Sequence, residues 1–351
     1  MEQKDNSHKA WAGEKKPSMK RRLEHKDYTV RGIYMVTLAI EGRRSLLGTL
    51  QGEPLPHVLL SPLGEAVRDC WQAIQNYYPQ VEPMKLCIMP DHIHGILFVH
   101  ERMERHLGHV IWGFKTGTRK AARNLGLLPT IAAQVAQPTK QEPIQYAALP
   151  AQQQLPSRHT ASGRAHGTLW EPGYNDRILL RKGQLQRWLE YLDDNPRRLY
   201  LKRQHPEYFT QLGTLHVAGV AMTAMGNRFL LERPVKLQVQ CSRHLYPHEI
   251  EQQKEAFLEA GRQGAVIVSP CISPGEQQIA TACMHEGIAL IVLLLKGFSP
   301  YFKPQPRYLE ACSQGRLLML SPYPFQNERI TDMRRRCLHL NELAAAICRQ
   351  A

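Results

Sequence analysis

Two mixed α and β domains in succession, the second an α/β doubly wound sheet, are what this sequence predicts. Three observations carry that prediction. The chain has 351 residues, which suits two domains better than one. A stretch over residues 127–168, rich in Gln, Pro and Ala and without periodicity, interrupts the first half and reads as a long flexible surface insertion. From about residue 213 the pattern resets into strands alternating with helices, the signature of a parallel sheet with helical crossovers.

The elements follow in order. Residues 1–27 carry Lys15, Lys16, Lys20, Arg21, Arg22 and Lys26 with almost no apolar material, and read as a disordered basic arm. Such an arm either solubilises the chain or contacts phosphates. Gly32 to Ile40 reads as a strand, Pro62 to Tyr78 as a helix, and residues 85–98 as a further strand rich in β-formers. Residues 104–124 read as a helix on which Lys115, Arg119, Lys120 and Arg123 recur at helical spacing. That face is either solvated or turned toward phosphate. A strand is expected within Leu169 to Leu180. A helix follows over residues 183–195, where Leu185, Trp188, Leu189 and Leu192 form an apolar stripe. Pro196 is expected to end it, because proline disfavours helical conformation in the residue before it. In the second domain, residues 235–240, 265–269, 288–295 and 316–321 read as strands. Residues 247–262 and 276–286 read as helices.

Bulk properties narrow the function. A hydrophobic content of 43% is sufficient for sizeable cores. The net charge of +14, from 45 Lys and Arg against 31 Asp and Glu, favours a polyanionic partner. Nucleic acid is the commonest such partner, and an acidic membrane surface is the alternative. The 8 cysteines include no Cys-x-x-Cys pair, which argues against a zinc ribbon or finger and for reduced thiols. No apolar leader opens the chain, and the longest apolar run, Ile288 to Leu295, is far too short to span a bilayer. A soluble, cytoplasmic, nucleoid-associated protein is the expectation.

The chemistry concentrates at two places. His92 and His94 are two residues apart on a strand, so their imidazoles share a face while Ile93 points to the other. Neutral imidazole is the commonest side-chain metal ligand, so the pair reads as half of a metal site; it also fits two residues decorating a solvated strand. Tyr191 and Asn195 are four apart on a helix and share a face, with Gln184 and Arg187 nearby. A phenol with a pKa of about 10 is a poor nucleophile at neutral pH. Near a divalent cation that polarises a phosphodiester, it can nonetheless attack phosphorus. An amide oxygen with two imidazoles would suit Mg²⁺ or Mn²⁺. Asp194 is a competing ligand or an acid/base group. Taken alone, Tyr191 also fits an ordinary amphipathic position and Asn195 a helix C-cap before Pro196.

The two motifs together, Pro90-Asp-His-Ile-His-Gly95 and Tyr191-Leu-Asp-Asp-Asn-Pro196, resemble those of the REP-associated tyrosine transposases, single-tyrosine members of the HUH endonuclease superfamily. Leu192 stands where that family carries isoleucine, and the stretch from Trp170 to Arg177 is also similar to theirs. The resemblance covers about residues 28–212, around the insertion. It implies an α+β HUH-type domain, an antiparallel sheet with helices on one face. It implies that His92 and His94 bind a divalent cation, Mg²⁺ or Mn²⁺, with Asn195 as third ligand. Tyr191 would attack single-stranded DNA, leaving a 5′-phosphotyrosine and a 3′-hydroxyl that can rejoin strands. Lys115 and Arg119 are the expected phosphate contacts, a foldback hairpin the expected form of the DNA, and a homodimer compatible with the scheme. Two further readings remain open: a catalytically inactive hairpin-binding protein, and a hydrolytic metallonuclease in which Tyr191 is structural.

Residues 213–351 resemble, more loosely, the Rossmann-like domain of the DNA-processing protein A family. Cys241-Ser-Arg243 follows the first strand and Ser269 to Glu276 the second, where parallel sheets commonly bind phosphate. No Gly-x-Gly-x-x-Gly is present, and Ser273 with Glu276 also reads as a plain capping pair.

Overall fold

A computed structural model describes residues 27–128, 168–242, 246–299 and 302–349. Nearly all of the expected basic arm and of the expected insertion lies outside the described residues. Contacts divide the chain into two compact units, Met1–Tyr200 and Leu201–Ala351.

The first unit is built on a four-stranded antiparallel sheet of β1 (Gly32–Ala39), β4 (Val81–Met89), β5 (His92–Val99) and β6 (Asn175–Ile178), in the order β4-β5-β1-β6. A short hairpin, β2 (Gly48–Gln51) and β3 (His57–Leu60), precedes helix α1 (Pro62–Gln72) and the single turn α2 (Ile74–Tyr77). Ser61 caps α1, its hydroxyl accepting from the Gly64 amide at 3.0 Å, and Pro62 occupies the first turn, where no N–H is needed. The stretch 85–98, expected as one strand, is instead the end of β4, a tight turn at Pro90-Asp91, and β5. His92 and His94 therefore open a strand.

Alternation along each strand assigns the two faces of this sheet. Tyr34, Val36 and Leu38 of β1 and Ile93 and Leu97 of β5 point toward α1 and α3 (Leu107–Asn124), sharing a core with Val67, Trp71, Ile111 and Phe114. Gly95 belongs to that face. A Cβ there would lie 2.2 Å from the Trp71 ring, so glycine is what lets the indole rest on the strand. Met35, Cys87, Met89 and Ile96 point the other way and are covered by Leu192 of helix α4 (Gln184–Gln204), with Leu185, Trp188 and Leu189 packed against them. Helices thus lie on both faces, which corrects the expectation of helices on one. The cause is that both alternating sets of residues are apolar, so neither face can be left to water.

Helix α4 also overruns its expected end. It passes through Pro196 and continues to Gln204, so Asn195 is an interior residue and not a cap. Proline forfeits the local backbone hydrogen bond. Buried Leu192 before it and Leu199 after it pack on the same cluster, holding both halves against the sheet. An ion pair between Lys85 on β4 and Asp193 fastens the middle of the helix.

The second unit includes residues the sequence left unassigned. The single turn α5 (Pro206–Phe209) and a hairpin of β7 (Leu212–Val217) and β8 (Val220–Gly226) open it. Ala218 and Gly219 make the hairpin turn with φ of 50° and 77°, as two-residue turns of this kind require. β8 runs antiparallel to β12 (Leu317–Ser321), which continues into parallel β11 (Leu290–Leu293), β10 (Val266–Ser269) and β9 (Lys236–Gln238). The sheet order is β7-β8-β12-β11-β10-β9. β10, β11 and β12 are buried at every position, as strands covered on both faces must be.

The expected doubly wound arrangement is not what forms. From β9 to β12 each crossover steps in the same direction across the sheet. Right-handed crossovers then place α6 (Pro247–Arg262), α7 (Pro274–His285) and α8 (Pro306–Ser313) on one face, where Leu258, Ile279, Cys283 and Cys312 share a core with Ile267 and Val292. The last helix, α9 (Met333–Arg349), covers the other face through Leu340, Leu343 and Ile347. The parallel strands never reverse order, so they create no switch-point crevice.

Ser273 and Glu276 form the expected capping box at the start of α7. Glu276 is 2% exposed and accepts from the amides of Ile272 at 2.7 Å, Ser273 at 3.2 Å and Cys241 at 3.3 Å, joining the turns after β9 and β10. No helix among the described residues is long and apolar enough to cross a membrane.

Two stability effects are expected. Gly95→Ala is expected to lose about 1–3 kcal/mol of stability by overpacking against Trp71, read as a lower urea midpoint. Glu276→Ala strands buried amides and costs about 1–3 kcal/mol, whereas Glu276→Gln costs less because its amide oxygen still accepts; urea unfolding of the two variants checks the order.

Candidate functional site

Strand register sets out the site. Cys87, His94, Thr37 and Asn175 lie opposite one another across β4, β5, β1 and β6, and Met89, His92 and Ala39 form the next row. The two imidazoles stand 4.8 Å apart between ring centroids with their planes at 85°. The Nδ1 atom of His94 is 2.7 Å from the Thr37 hydroxyl, and Nδ1 of His92 is 2.6 Å from Oδ1 of Asp91. Both Nδ1 atoms are therefore held by the protein, which makes Nε2 the atom each ring offers to a cation. Fixing one ring nitrogen so as to orient the other is the usual outer shell of a metal-bound histidine.

Asp91 is itself anchored, its Oδ2 lying 3.3 Å from Arg43. Burial pulls its carboxyl upward, but the hydrogen bond and charge of His92, with the Arg43 guanidinium, outweigh it and hold the group below the ordinary range. It stays ionised at neutral pH and so accepts from His92.

Helix α4 delivers the other half. The Tyr191 ring is 6.4 Å from that of His94 and 5.3 Å from that of Trp188. Asn195, one turn on, is 8% exposed, and its Nδ2 is buried without a partner of normal hydrogen-bond geometry. Its side chain lies against the Cys87 thiol, which burial pushes up to about 11 in spite of that contact. A cation would be met by the Asn195 amide oxygen, since the nitrogen is a donor. The set His92, His94 and Asn195 is consistent in chemistry with a hard divalent ion. Among the described residues no three His, Cys, Asp or Glu side chains cluster as a metal site, so the amide is needed to make up the set.

Other residues differ from their expected places. Asp194, the competing ligand, pairs with Arg197 at 2.6 Å and Arg198 at 3.6 Å. Gln184 accepts from the amides of Leu180 and Arg181 at 3.1 Å and serves the start of α4. Lys115 and Arg119 sit on α3, which covers the sheet face opposite the histidines. The Lys115 ammonium donates to the carbonyls of Glu171 at 2.8 Å and Gly173 at 2.5 Å, tying down the turn before β6. Arg119 is half-buried with its Nε enclosed. Neither joins the cluster.

Two arginines do border it. Arg198 is 4% exposed and its guanidinium carbon lies 5.4 Å from the Tyr191 ring centroid; Arg177 on β6 stands 5.2 Å from that of Trp188. Arg198 follows Tyr191 by seven positions, two helical turns, and Arg177 alternates with Asn175 on one strand face. Both spacings are present in the sequence and carry positive charge to the side of Tyr191.

No family model matches the sequence. An uncharacterised protein of Haemophilus influenzae is 32% identical over 83 residues, which is 24% of this chain and 44% of that protein. The chain thus spans less than half the length of that relative. Three solved structures overlap with it. A REP-associated tyrosine transposase bound to a REP hairpin gives a TM-score of 0.31 at 14% identity, over 51% of this chain and 74% of that one. A candidate transposase from Deinococcus radiodurans R1 gives 0.27 at 13% identity, over 49% and 97%. DNA processing protein A from Helicobacter pylori, whose structure concerns single-stranded DNA binding, gives 0.31 at 19% identity, over 40% and 67%. Overlaps of this size leave the function of the chain to be read from its own residues.

Proposed function

We propose that the first unit cleaves and rejoins single-stranded DNA through a covalent tyrosine intermediate, in the manner of the REP-associated tyrosine transposases. The supporting observation is convergence: two histidines opening β5 and a tyrosine and an asparagine of α4, a hundred residues later, meet on one face of one sheet. His92, His94 and Asn195 would hold the divalent ion, Mg²⁺ or Mn²⁺. When bound there, such an ion supplies charge that polarises the phosphodiester. Thr37 and Asp91, through their contacts with Nδ1, would hold the two rings for it.

Tyr191 is the nucleophile in this scheme. Its Oη bonds to phosphorus as the bond from phosphorus to the 3′-oxygen breaks, and the phenolic proton ends on that oxygen. The products are a 5′-phosphotyrosine and a 3′-hydroxyl, and no water is consumed, so the same hydroxyl or another can reverse the step. Arg198, buried beside the Tyr191 ring, would stabilise charge that develops on the phosphate. The partner in this reading is single-stranded DNA, with a foldback hairpin beside the cleaved bond.

The decisive experiment incubates the full chain with Mg²⁺ or Mn²⁺ and a pool of DNA hairpins and seeks a denaturation-resistant protein–DNA adduct. The adduct is expected with the native chain and absent from Tyr191→Phe. Cleavage that survives Tyr191→Phe would replace this reading with hydrolysis; binding without cleavage under either metal would replace it with an inactive hairpin-binding protein. Calorimetric titration with Mn²⁺ is expected to show affinity reduced about 10–100-fold in Thr37→Val and Asp91→Asn. Arg198→Ala is expected to slow adduct formation by about 10²–10³ while leaving Mn²⁺ affinity intact, with Arg198→Lys recovering part of the rate.

A further inference from the structure

β4 is the edge of the first sheet, with β5 its one hydrogen-bonded neighbour, so its outer N–H and C=O groups meet no strand among the described residues. A cleft of about 470 Å³ opens along that edge, bounded by β3, the end of α1 and the middle of α4. Val58, Leu60, Leu86, Leu192 and Pro196 give it apolar walls. Arg68, Gln72 and Asp193 stand at its rim, all exposed. Trp71 lines it too; this residue is 1% exposed and its indole Nε1 is buried without a hydrogen-bond partner. Cys87, the thiol against which Asn195 lies, is part of the same wall, so the cleft and the candidate metal site share a boundary.

We propose that this cleft holds one nucleobase of the strand that Tyr191 attacks, turned out from its neighbours. The inference rests on the function proposed above and adds where the strand is read. A volume of about 470 Å³ falls within the roughly 300–1,000 Å³ of ordinary small-ligand sites. Apolar walls suit the faces of a planar ring. The edge of a base carries donors and acceptors together, matching the alternating backbone groups of an unpaired strand, the Gln72 amide and the Lys85–Asp193 ion pair that also lines the cleft. Single strands are commonly recognised in this way, by bases splayed into pockets and bonded along their edges. The cationic chain, at +14, supplies attraction for the attached phosphates.

The test uses the full chain carrying Tyr191→Phe, so that strands stay intact, and four probes: the single-stranded deoxyhomopolymers, each also made with alternate bases replaced by abasic sites. Removing bases is expected to weaken binding of at least one homopolymer by about ten-fold. Gln72→Trp, an exposed position whose new side chain would cover the mouth of the cleft, is expected to reproduce that loss and abolish the sensitivity to abasic sites. Its urea midpoint, compared with that of the parent, shows that the fold is kept. Equal affinity for intact and abasic strands overturns the proposal, as does a Gln72→Trp protein with an unchanged abasic profile. A concentration-dependent dimer broken by Gln72→Trp, with that profile unchanged, would assign the edge to a second copy of the chain instead. If the native chain forms the Tyr191 adduct while the cleft variant binds as its parent does, the cleft assignment alone falls. If no adduct forms and no strand binds, the reading of the metal site falls and carries this one with it.

Discussion

Leu192 packs into a patch made by Met35, Cys87, Met89 and Ile96, and that apolar seam determines where the rest of α4 points. Helical geometry does the remainder. Tyr191 precedes the buried leucine by one residue and Asn195 follows it by three, so sealing Leu192 against the sheet brings both polar groups down beside the histidine rows. Hydrophobic burial, which is non-directional, supplies the driving force. The side-chain positions around the anchor supply the direction. The Lys85–Asp193 pair pins the same turn from β4. Disturbing the seam would misplace Tyr191 and Asn195 together.

The polar residues around this seam are held to different degrees. Both Nδ1 atoms of the histidines are engaged, Asp91 is steadied by Arg43, and Asp194 is committed to two arginines. Asn195 is the exception, buried with an amide nitrogen that finds no normal partner. Burying a donor without an acceptor costs free energy. The rigidity of the surroundings makes that cost meaningful: a ligand arriving there meets rings and an amide already oriented.

Much of the site could be read from residue spacing, and the reasons for the misses are physical. A two-residue interval on a strand and a four-residue interval on a helix are local periodicities, so His92 with His94 and Tyr191 with Asn195 were legible as pairs. Thr37 was not, because its contact with His94 depends on which strands pair and in which register. The turn at Pro90-Asp91 was missed because strand formers run up to it on both sides, although Pro90 and Asp91 are themselves turn formers. Pro196 misled because its penalty is local, whereas the packing of Leu192 and Leu199 that overrides it is tertiary. The basic spacing of α3 could not distinguish a residue facing phosphate from one, like Lys115, that ties down its own chain. In the second unit, strand–helix alternation is visible in sequence but strand order is not, so one-way and two-way winding look alike until the sheet is seen.

Gly95 has a consequence for how the His-x-His-Gly stretch of β5 should be understood. The three polar or small residues of that stretch belong to opposite sides of one strand: the imidazoles face α4, while the glycine makes a notch into which Trp71 fits from behind. The histidine-bearing face of β5 is therefore only one peptide layer thick, and the hydrophobic core presses directly on its rear. A volume change in that core, even one that touches no polar atom, would shift the backbone between His94 and Ile96 and so tilt the rings. The tolerance of the site to substitution is set as much by the side that cannot be seen from solvent as by the residues that would bind.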